Sequence, residues 1–260
     1  MFIESGHLDT SRRTDLQNED NYLHSLGFRN EDEFLQWLGN DIVLDIGSGY
    51  GTLAKNVAKK KRQAQVVSLN PSLSNRKFRE ESRLKTKELV NEGDVESEKF
   101  LNQAHEKLAV AGRWDRLPFR DASFSKVLSS YAFPMYCKNR SELQATVKEL
   151  KRVLKPGGEA RINAPKSHSI TNKDGMTITR DKFYVTFKKM LEEEGLVVKE
   201  MAEYNPETEA VVRLLGGGRL QTVDQPFFIS INKPETEQPN VNLNDMTMPR
   251  EPLIQISGGF

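Results

Sequence analysis

The stretch Ile42-Val-Leu-Asp-Ile-Gly-Ser-Gly-Tyr-Gly-Thr-Leu-Ala54 constrains this chain more than any other. It opens as a short apolar run, the pattern of a buried strand. It then meets an acid, Asp45, and three glycines at alternate positions, Gly47, Gly49 and Gly51. Leu53-Ala-Lys-Asn-Val-Ala58 follows with apolar residues at helical spacing. Strand, glycine-rich turn and helix in succession form a corner suited to a nucleotide-like ligand. Glycine permits the tight turn and lets a ligand approach the main chain where a Cβ would collide. The first turn of the helix offers unpaired N–H groups to polar ligand atoms.

The flanking chain extends the corner into a fold. Gln65-Val-Val-Ser-Leu-Asn70 reads as a second strand, stopped by Pro71. Strand, helix and strand at this spacing imply a right-handed parallel βαβ unit. Leu108–Gly112 is a third strand, Phe124–Tyr131 a fourth and Glu159–Ala164 a fifth. Ser141–Leu154 is an amphipathic helix that Ser141 can cap and Lys155-Pro-Gly-Gly158 ends. A helix capped at Thr179 or Asp181 runs to Glu194 and closes at Gly195. Strands at 196–201 and 226–231 complete the pattern. The expected architecture is α/β: a Rossmann-like, doubly wound, seven-stranded and mostly parallel sheet with helices on both faces. Ligands in such sheets bind at the carboxyl ends of the strands.

Three segments lie outside that alternation. Residues 1–40 read as an N-terminal helical cap, with Asn30 and Glu33 forming a capping box before Phe34, Trp37 and Leu38. Residues 72–109 read as a charged helical insertion in the 41–233 domain, broken near Gly93 and basic from Arg76 to Lys87. Residues 234–260 mix proline, asparagine and acids with few core-forming side chains and read as a disordered tail.

Charge and cysteine usage narrow the function classes. The formal net charge is +1, so no global field draws the chain to nucleic acid or an acidic membrane. Cys137 is the single cysteine, which excludes an intrachain disulfide and a cysteine-built zinc site and fits a reducing cytoplasm. Glu4 and Asp9 break up the N-terminus, so no signal peptide is expected. No apolar run approaches the roughly 18 residues of a membrane span.

Four features in order resemble the class I S-adenosylmethionine-dependent methyltransferases. They are Leu44-Asp-Ile-Gly-Ser-Gly-Tyr-Gly51, the spacing to Asn70, Asp115-Arg-Leu-Pro-Phe-Arg-Asp-Ala-Ser-Phe, and Leu150-Lys-Arg-Val-Leu-Lys-Pro-Gly-Gly158. The third is similar to the "LPF…SFD" stretch of the family's small-molecule enzymes. The resemblance covers roughly 41–165, and 180–233 by strand and helix order alone. It implies S-adenosylmethionine as methyl donor. Gly47, Ser48, Gly49 and Gly51 would pass under its methionine and ribose, Asp45 would hold the turn, and Asn70, Arg113, Trp114 and Ser129 would line the pocket.

Two positions depart from the family pattern. Asn70 stands where an acid usually accepts the ribose hydroxyls, and Arg113 stands where an acid usually meets adenine. Asp115 fills the second slot if the register moves by two. Trp114 has two readings, stacking on adenine or closing the pocket. Methyl transfer needs alignment more than acid–base machinery. His168 and Tyr131 are the candidate catalytic residues, His168 being the better base by pKa, with Tyr136 nearby. No metal site is expected.

The expected activity is methyl transfer to a small or medium-sized acceptor. An RNA methyltransferase using the basic 76–87 stretch and a non-catalytic scaffold are the alternatives. A nicotinamide dehydrogenase fits less well, because the turn is not G-x-G-x-x-G and the second strand ends without the ribose acid.

Overall fold

The corner around residues 42–60 folds as its pattern dictates, and the rest of the sheet is laid beside it. The computed structural model describes residues 23, 26–28, 30–60, 65–91, 93–130, 132–134, 137–163, 170–171, 177–178, 180–202 and 227–235. The expected cap at 1–22, the candidate residues Tyr131, Tyr136 and His168, and the tail from 236 lie outside the described residues.

Helix α1 (Glu31–Leu38) is capped by the Asn30 side chain, which accepts from the Glu33 N–H at 2.9 Å. Strand β1 (Ile42–Ile46) leads into the glycine turn and helix α2 (Thr52–Lys60), and β2 (Gln65–Leu69) returns parallel to β1. The insertion then forms two helices, α3 (Arg76–Thr86) and α4 (Val95–Leu108). Gly93 stands between them at φ +83°, a left-handed conformation glycine adopts without penalty. Strand β3 (Ala109–Val110), β4 (Phe124–Ser129), helix α5 (Arg140–Val153) and β5 (Leu154–Asn163) follow. A short antiparallel pair, β6 (Ile170–Thr171) and β7 (Thr177–Ile178), precedes α6 (Arg180–Glu193), β8 (Val197–Ala202) and β9 (Phe227–Asn232).

The seven-stranded sheet has the order β3-β2-β1-β4-β5-β9-β8. The pairs from β3 to β5 are parallel, and β9 runs antiparallel to both β5 and β8. The sheet is therefore mostly parallel and Rossmann-like, as the alternation predicts. Alternate strand residues point to opposite faces. Val43, Val66 and Leu128 face a layer built from Leu23, Leu26, Phe28, α1 and α2. Leu44, Ile46, Val67, Leu69 and Val127 face a larger layer with α5 and α6.

Three boundaries differ from expectation. The α5 cap is Asn139, not Ser141: its side chain accepts from the Glu142 N–H at 2.9 Å. Asn is an equally good cap, and the choice falls to the residue whose backbone is extended, here φ −159°. Lys155-Pro-Gly-Gly158 does not form a stop before β5; it is part of it. The ladder to β4 shifts register between Phe124 and Lys126, and Gly157 at φ +74° takes up the irregularity. The third strand is only two residues long, so the chain leaves the sheet at Ala111 rather than at Gly112.

Candidate functional site

The carboxyl ends of β1, β2 and β4 meet at the glycine turn. The N–H groups of Gly47 and Ser48 both donate to the Leu69 carbonyl, at 2.8 and 3.3 Å, and Gly51 N–H donates to Ser48 O at 2.9 Å. Gly47, Gly49 and Gly51 all have positive φ, at +80°, +55° and +73°. Two of these glycines are required by the protein's own packing. A Cβ on Gly47 would stand 2.1 Å from the Ala132 Cβ, and one on Gly51 would stand 1.9 Å from the His105 Nε2. The glycine pattern alone suggests that a ligand fills this space; at these two positions Ala132 of a loop and His105 of a helix fill it.

Asp45 is buried on β1, in register with Ser68 of β2 and Leu128 of β4. The Ser48 hydroxyl is also buried and finds no hydrogen-bond partner among the described residues. A buried hydroxyl left unpaired carries a desolvation cost of about 1–3 kcal/mol, which a polar ligand atom at the turn would relieve. The residues at the turn thus suit a polar ligand such as S-adenosylmethionine.

Asn70 sits at the end of β2, where the pattern put it, but its amide is engaged locally. Nδ2 donates to the Gly49 carbonyl at 3.2 Å, and Oδ1 accepts from the Ser72 N–H at 2.9 Å, capping a 3₁₀ turn at Pro71–Ser74. Asparagine, unlike an acid, supplies both a donor and an acceptor. The family pattern suggests that an acid here would tighten ribose binding. The observed bonds point the other way. Asn70→Asp removes the donor to Gly49 and sets a charge beside a carbonyl oxygen. It is expected to cost about 1–2 kcal/mol of S-adenosylhomocysteine binding by calorimetry. A tighter complex would show that residue 70 reaches the ribose instead.

Ser129, at the end of β4, is buried. Its hydroxyl accepts from the Phe133 N–H at 3.0 Å and lies 3.2 Å from the carbonyls of Ile46 and Phe133. It therefore shapes the pocket wall by folding the loop after β4 back onto β1. Arg113 is exposed and forked onto Asp115, with both N–H···O distances 2.8 Å, and its Nη2 donates to Glu142 at 3.2 Å. The hydrogen bond from Arg113 holds the Asp115 carboxyl below the usual carboxylate range. Trp114 is half-buried and packs against the larger core layer, which supports the wall reading over adenine stacking.

Sequence reasoning missed the residues behind the turn. Lys55 of α2 is 1% exposed and donates to the carbonyl and hydroxyl of Ser82 on α3, at 2.5 and 3.0 Å. The Ser82 hydroxyl donates to the Tyr50 carbonyl at 2.8 Å. A lysine among the apolar positions of Leu53-Ala-Lys-Asn-Val-Ala58 is the one signal the sequence carried, and it reads by default as a solvated residue.

A sheet of this order, with a glycine turn at the carboxyl end of β1, is a Rossmann-like α/β architecture, the kind in which ligands bind at the strand ends. Residues 44–162 match the family model described as a methyltransferase domain. YrhH of Bacillus subtilis (strain 168), which carries a methyltransferase name, is 27% identical over 145 residues, spanning 56% of this chain and 69% of its own. Malonyl-acyl-carrier-protein O-methyltransferase 1 of Coxiella burnetii is 30% identical over 116 residues, 45% of this chain. The chain spans only 30% of that protein's length. The solved PH0226 protein of Pyrococcus horikoshii OT3 shares the fold, with a TM-score of 0.52 at 14% identity over 85% of this chain and 95% of that one. The match over residues 44–162, set in this Rossmann-like sheet, supports a class I S-adenosylmethionine-dependent methyltransferase with S-adenosylmethionine as its methyl donor.

Proposed function

We propose that this methyltransferase acts on a small or medium-sized acceptor, with the donor bound along residues 45–51 and the acceptor opposite, at the ends of β4 and β5. The observation that carries this acceptor class is the state of the basic stretch. Arg76 pairs with Glu80 at 2.8 Å, Lys77 with Glu81 at 3.9 Å, Arg83 with Glu106 at 2.6 Å and Lys85 with Glu88 at 2.8 Å. Arg79 donates to the Leu73 carbonyl at 2.7 Å. Four of the six cations in this stretch are thus paired with carboxylates, which lowers the net charge it offers a phosphate backbone and favours a small acceptor over RNA.

The bound sulfonium supplies an already activated methyl carbon. The chain's own contribution is to bind, to align and to exclude water. The Gly47–Gly51 turn and the Ser48 hydroxyl offer the donor polar contacts, and Ser129 sets the wall. Asn70 fixes the turn through Gly49. His168 and Tyr131 are our candidates to accept a proton from the acceptor, His168 because an imidazole titrates near neutrality. A reducing cytoplasmic setting goes with this reading. The Cys137 thiol is buried and pushed up to about 12, chiefly by burial, so it is neither a nucleophile nor a ready disulfide partner.

Thermal unfolding with S-adenosylhomocysteine tests the donor site. At about a hundredfold excess over Kd the ligand should add about 2.7 kcal/mol to the folded state. No shift would favour a scaffold that has lost cofactor affinity. Bulk tRNA, titrated at low and moderate salt, tests the acceptor class. Weak binding is expected, whereas tight and steeply salt-dependent binding would overturn the small-acceptor reading.

A further inference from the structure

The insertion between β2 and β3 grips the cofactor turn from behind. Helix α3 does so three times: Phe78 stacks on the Tyr50 ring at 4.7 Å, Glu81 accepts from the Tyr50 hydroxyl at 2.9 Å, and Ser82 bonds the Tyr50 carbonyl. Helix α4 does so through His105, whose buried ring occupies the space beside Gly51. The two helices are tied to each other by Thr86, whose hydroxyl donates to Asn102 Oδ1 at 2.6 Å. Lys55 stands at the centre. Its ammonium is fully buried and aimed at Ser82, the residue that holds the turn.

We propose that Lys55 is a positioning residue for cofactor binding, which with Ser82 and His105 locks the Tyr50–Gly51 end of the turn to helices α3 and α4. The proposal rests on the reading of this turn as the donor site. A buried ammonium is costly to keep unless it is well bonded. Ordinary helix packing would place an apolar side chain here, as Leu53 and Val57 do on the same helix. The polar choice is explained if the turn must be held by directional bonds. Those bonds fix the Tyr50 carbonyl, and so the backbone that follows Gly49. The charged and titratable groups facing Lys55 are His105 and Glu106, both on α4, with Glu106 also paired to Arg83 of α3. Burial pushes the Lys55 ammonium down to about 8, with Glu106 opposing the shift. Burial, and then the Lys55 charge, push the His105 imidazole down to about 3, so His105 is neutral.

Lys59 provides the control. It lies one turn further along α2 and donates to the Leu89 carbonyl at 2.7 Å, also bridging α2 to the insertion but away from the turn. Calorimetry of S-adenosylhomocysteine with the full chain is expected to show about a tenfold weaker complex for Lys55→Met. Lys59→Met should bind as the unaltered protein does. Repeating the titration at pH about 7 and about 9, on either side of the Lys55 value, adds a readout that general loosening would not move. Charged hydrogen bonds are the stronger ones, so the unaltered protein should lose affinity towards pH 9, and Lys55→Met should not. Ser82→Ala keeps the helix and removes one hydroxyl; it should weaken binding about threefold and serves alone if Lys55→Met fails to fold. Unchanged affinity in Lys55→Met or Ser82→Ala, equal losses in Lys55→Met and Lys59→Met, or a pH step that survives in Lys55→Met would each overturn the proposal. If the unaltered protein binds no S-adenosylhomocysteine, the donor-site reading itself fails and takes the proposal with it.

Discussion

Gly47→Ala is expected to cost about 2–5 kcal/mol of stability and to remove cofactor binding at ordinary temperature. Two penalties combine. The residue sits at φ +80°, where an L side chain costs about 1–2 kcal/mol. The new methyl would also lie 2.1 Å from the Ala132 Cβ, so one of the two backbones must move, at about 1–3 kcal/mol. Neither can move freely. The Gly47 and Ser48 N–H groups are fixed on Leu69 O, and Phe133, next to Ala132, is fully buried, bonded to Ser129 and packed edge-on against Phe187 at 5.4 Å. Gly93→Ala separates the two penalties. Gly93 has a similar φ of +83°, but nothing lies within 4 Å of its Cβ position. It should lose about 1–2 kcal/mol in urea unfolding and retain S-adenosylhomocysteine affinity. Equal losses at the two positions would show that the turn yields to Ala132 without strain.

The turn was legible because its constraint is local. Positive φ at three alternate residues needs glycine whatever surrounds them. The strands were legible as apolar runs, and the break between α3 and α4 as Gly93. What the sequence could not carry was the use of each side chain once the elements met. Asn70 reads as a weakened ribose ligand, yet in the fold it is a cap and a brace for Gly49. Arg113 reads as a cation in the adenine slot, yet it is neutralised by Asp115 and Glu142. Lys55 reads as a surface lysine and is buried. In each case the partner lies on another element or in a turn whose closure depends on tertiary contacts, so no spacing rule reveals it. The direction of β9 was also silent. A strand's apolar pattern is the same whichever way it runs, and the order β5-β9-β8 shows only in the pairing of β9 with both neighbours.

Two of the four resemblance motifs prove to be one structural unit, and Arg152→Ala should expose this. Arg152 lies in the last turn of α5, within the Leu150–Gly158 stretch, and its guanidinium is the anchor for the Leu-Pro-Phe loop. Nε and Nη2 fork onto Glu149 at 2.7 and 2.8 Å, Nη2 also reaches the Leu117 carbonyl at 3.0 Å, and Nη1 reaches the Phe119 carbonyl at 2.7 Å. Glu149 closes the circuit by accepting from the Leu117 N–H at 2.7 Å. The hydrogen bonds that Arg152 donates to Glu149 raise its pKa above the ordinary value, so the group is charged throughout the working range. Asp121 also pairs with Arg152, but it is 80% exposed and contributes little. Removing the guanidinium leaves the Leu117 and Phe119 carbonyls and one carboxylate without their donor. The side chain is 29% exposed, so water recovers part of that loss, and about 2–3 kcal/mol of destabilisation remains. Lysine should restore little of it, because one ammonium cannot serve a fork and two carbonyls at once. The effect should also reach the site. The loop it frees follows directly on Arg113 and Trp114, and Phe119 packs edge-on against Phe124 at the start of β4 with a centroid distance of 4.9 Å. A double-mutant cycle with Glu149→Gln measures the circuit itself, with an expected coupling of about 1–2 kcal/mol. Additive losses, or an Arg152→Ala protein within about 0.5 kcal/mol of the original, would mean that the loop is held by Leu117 and Phe119 burial alone.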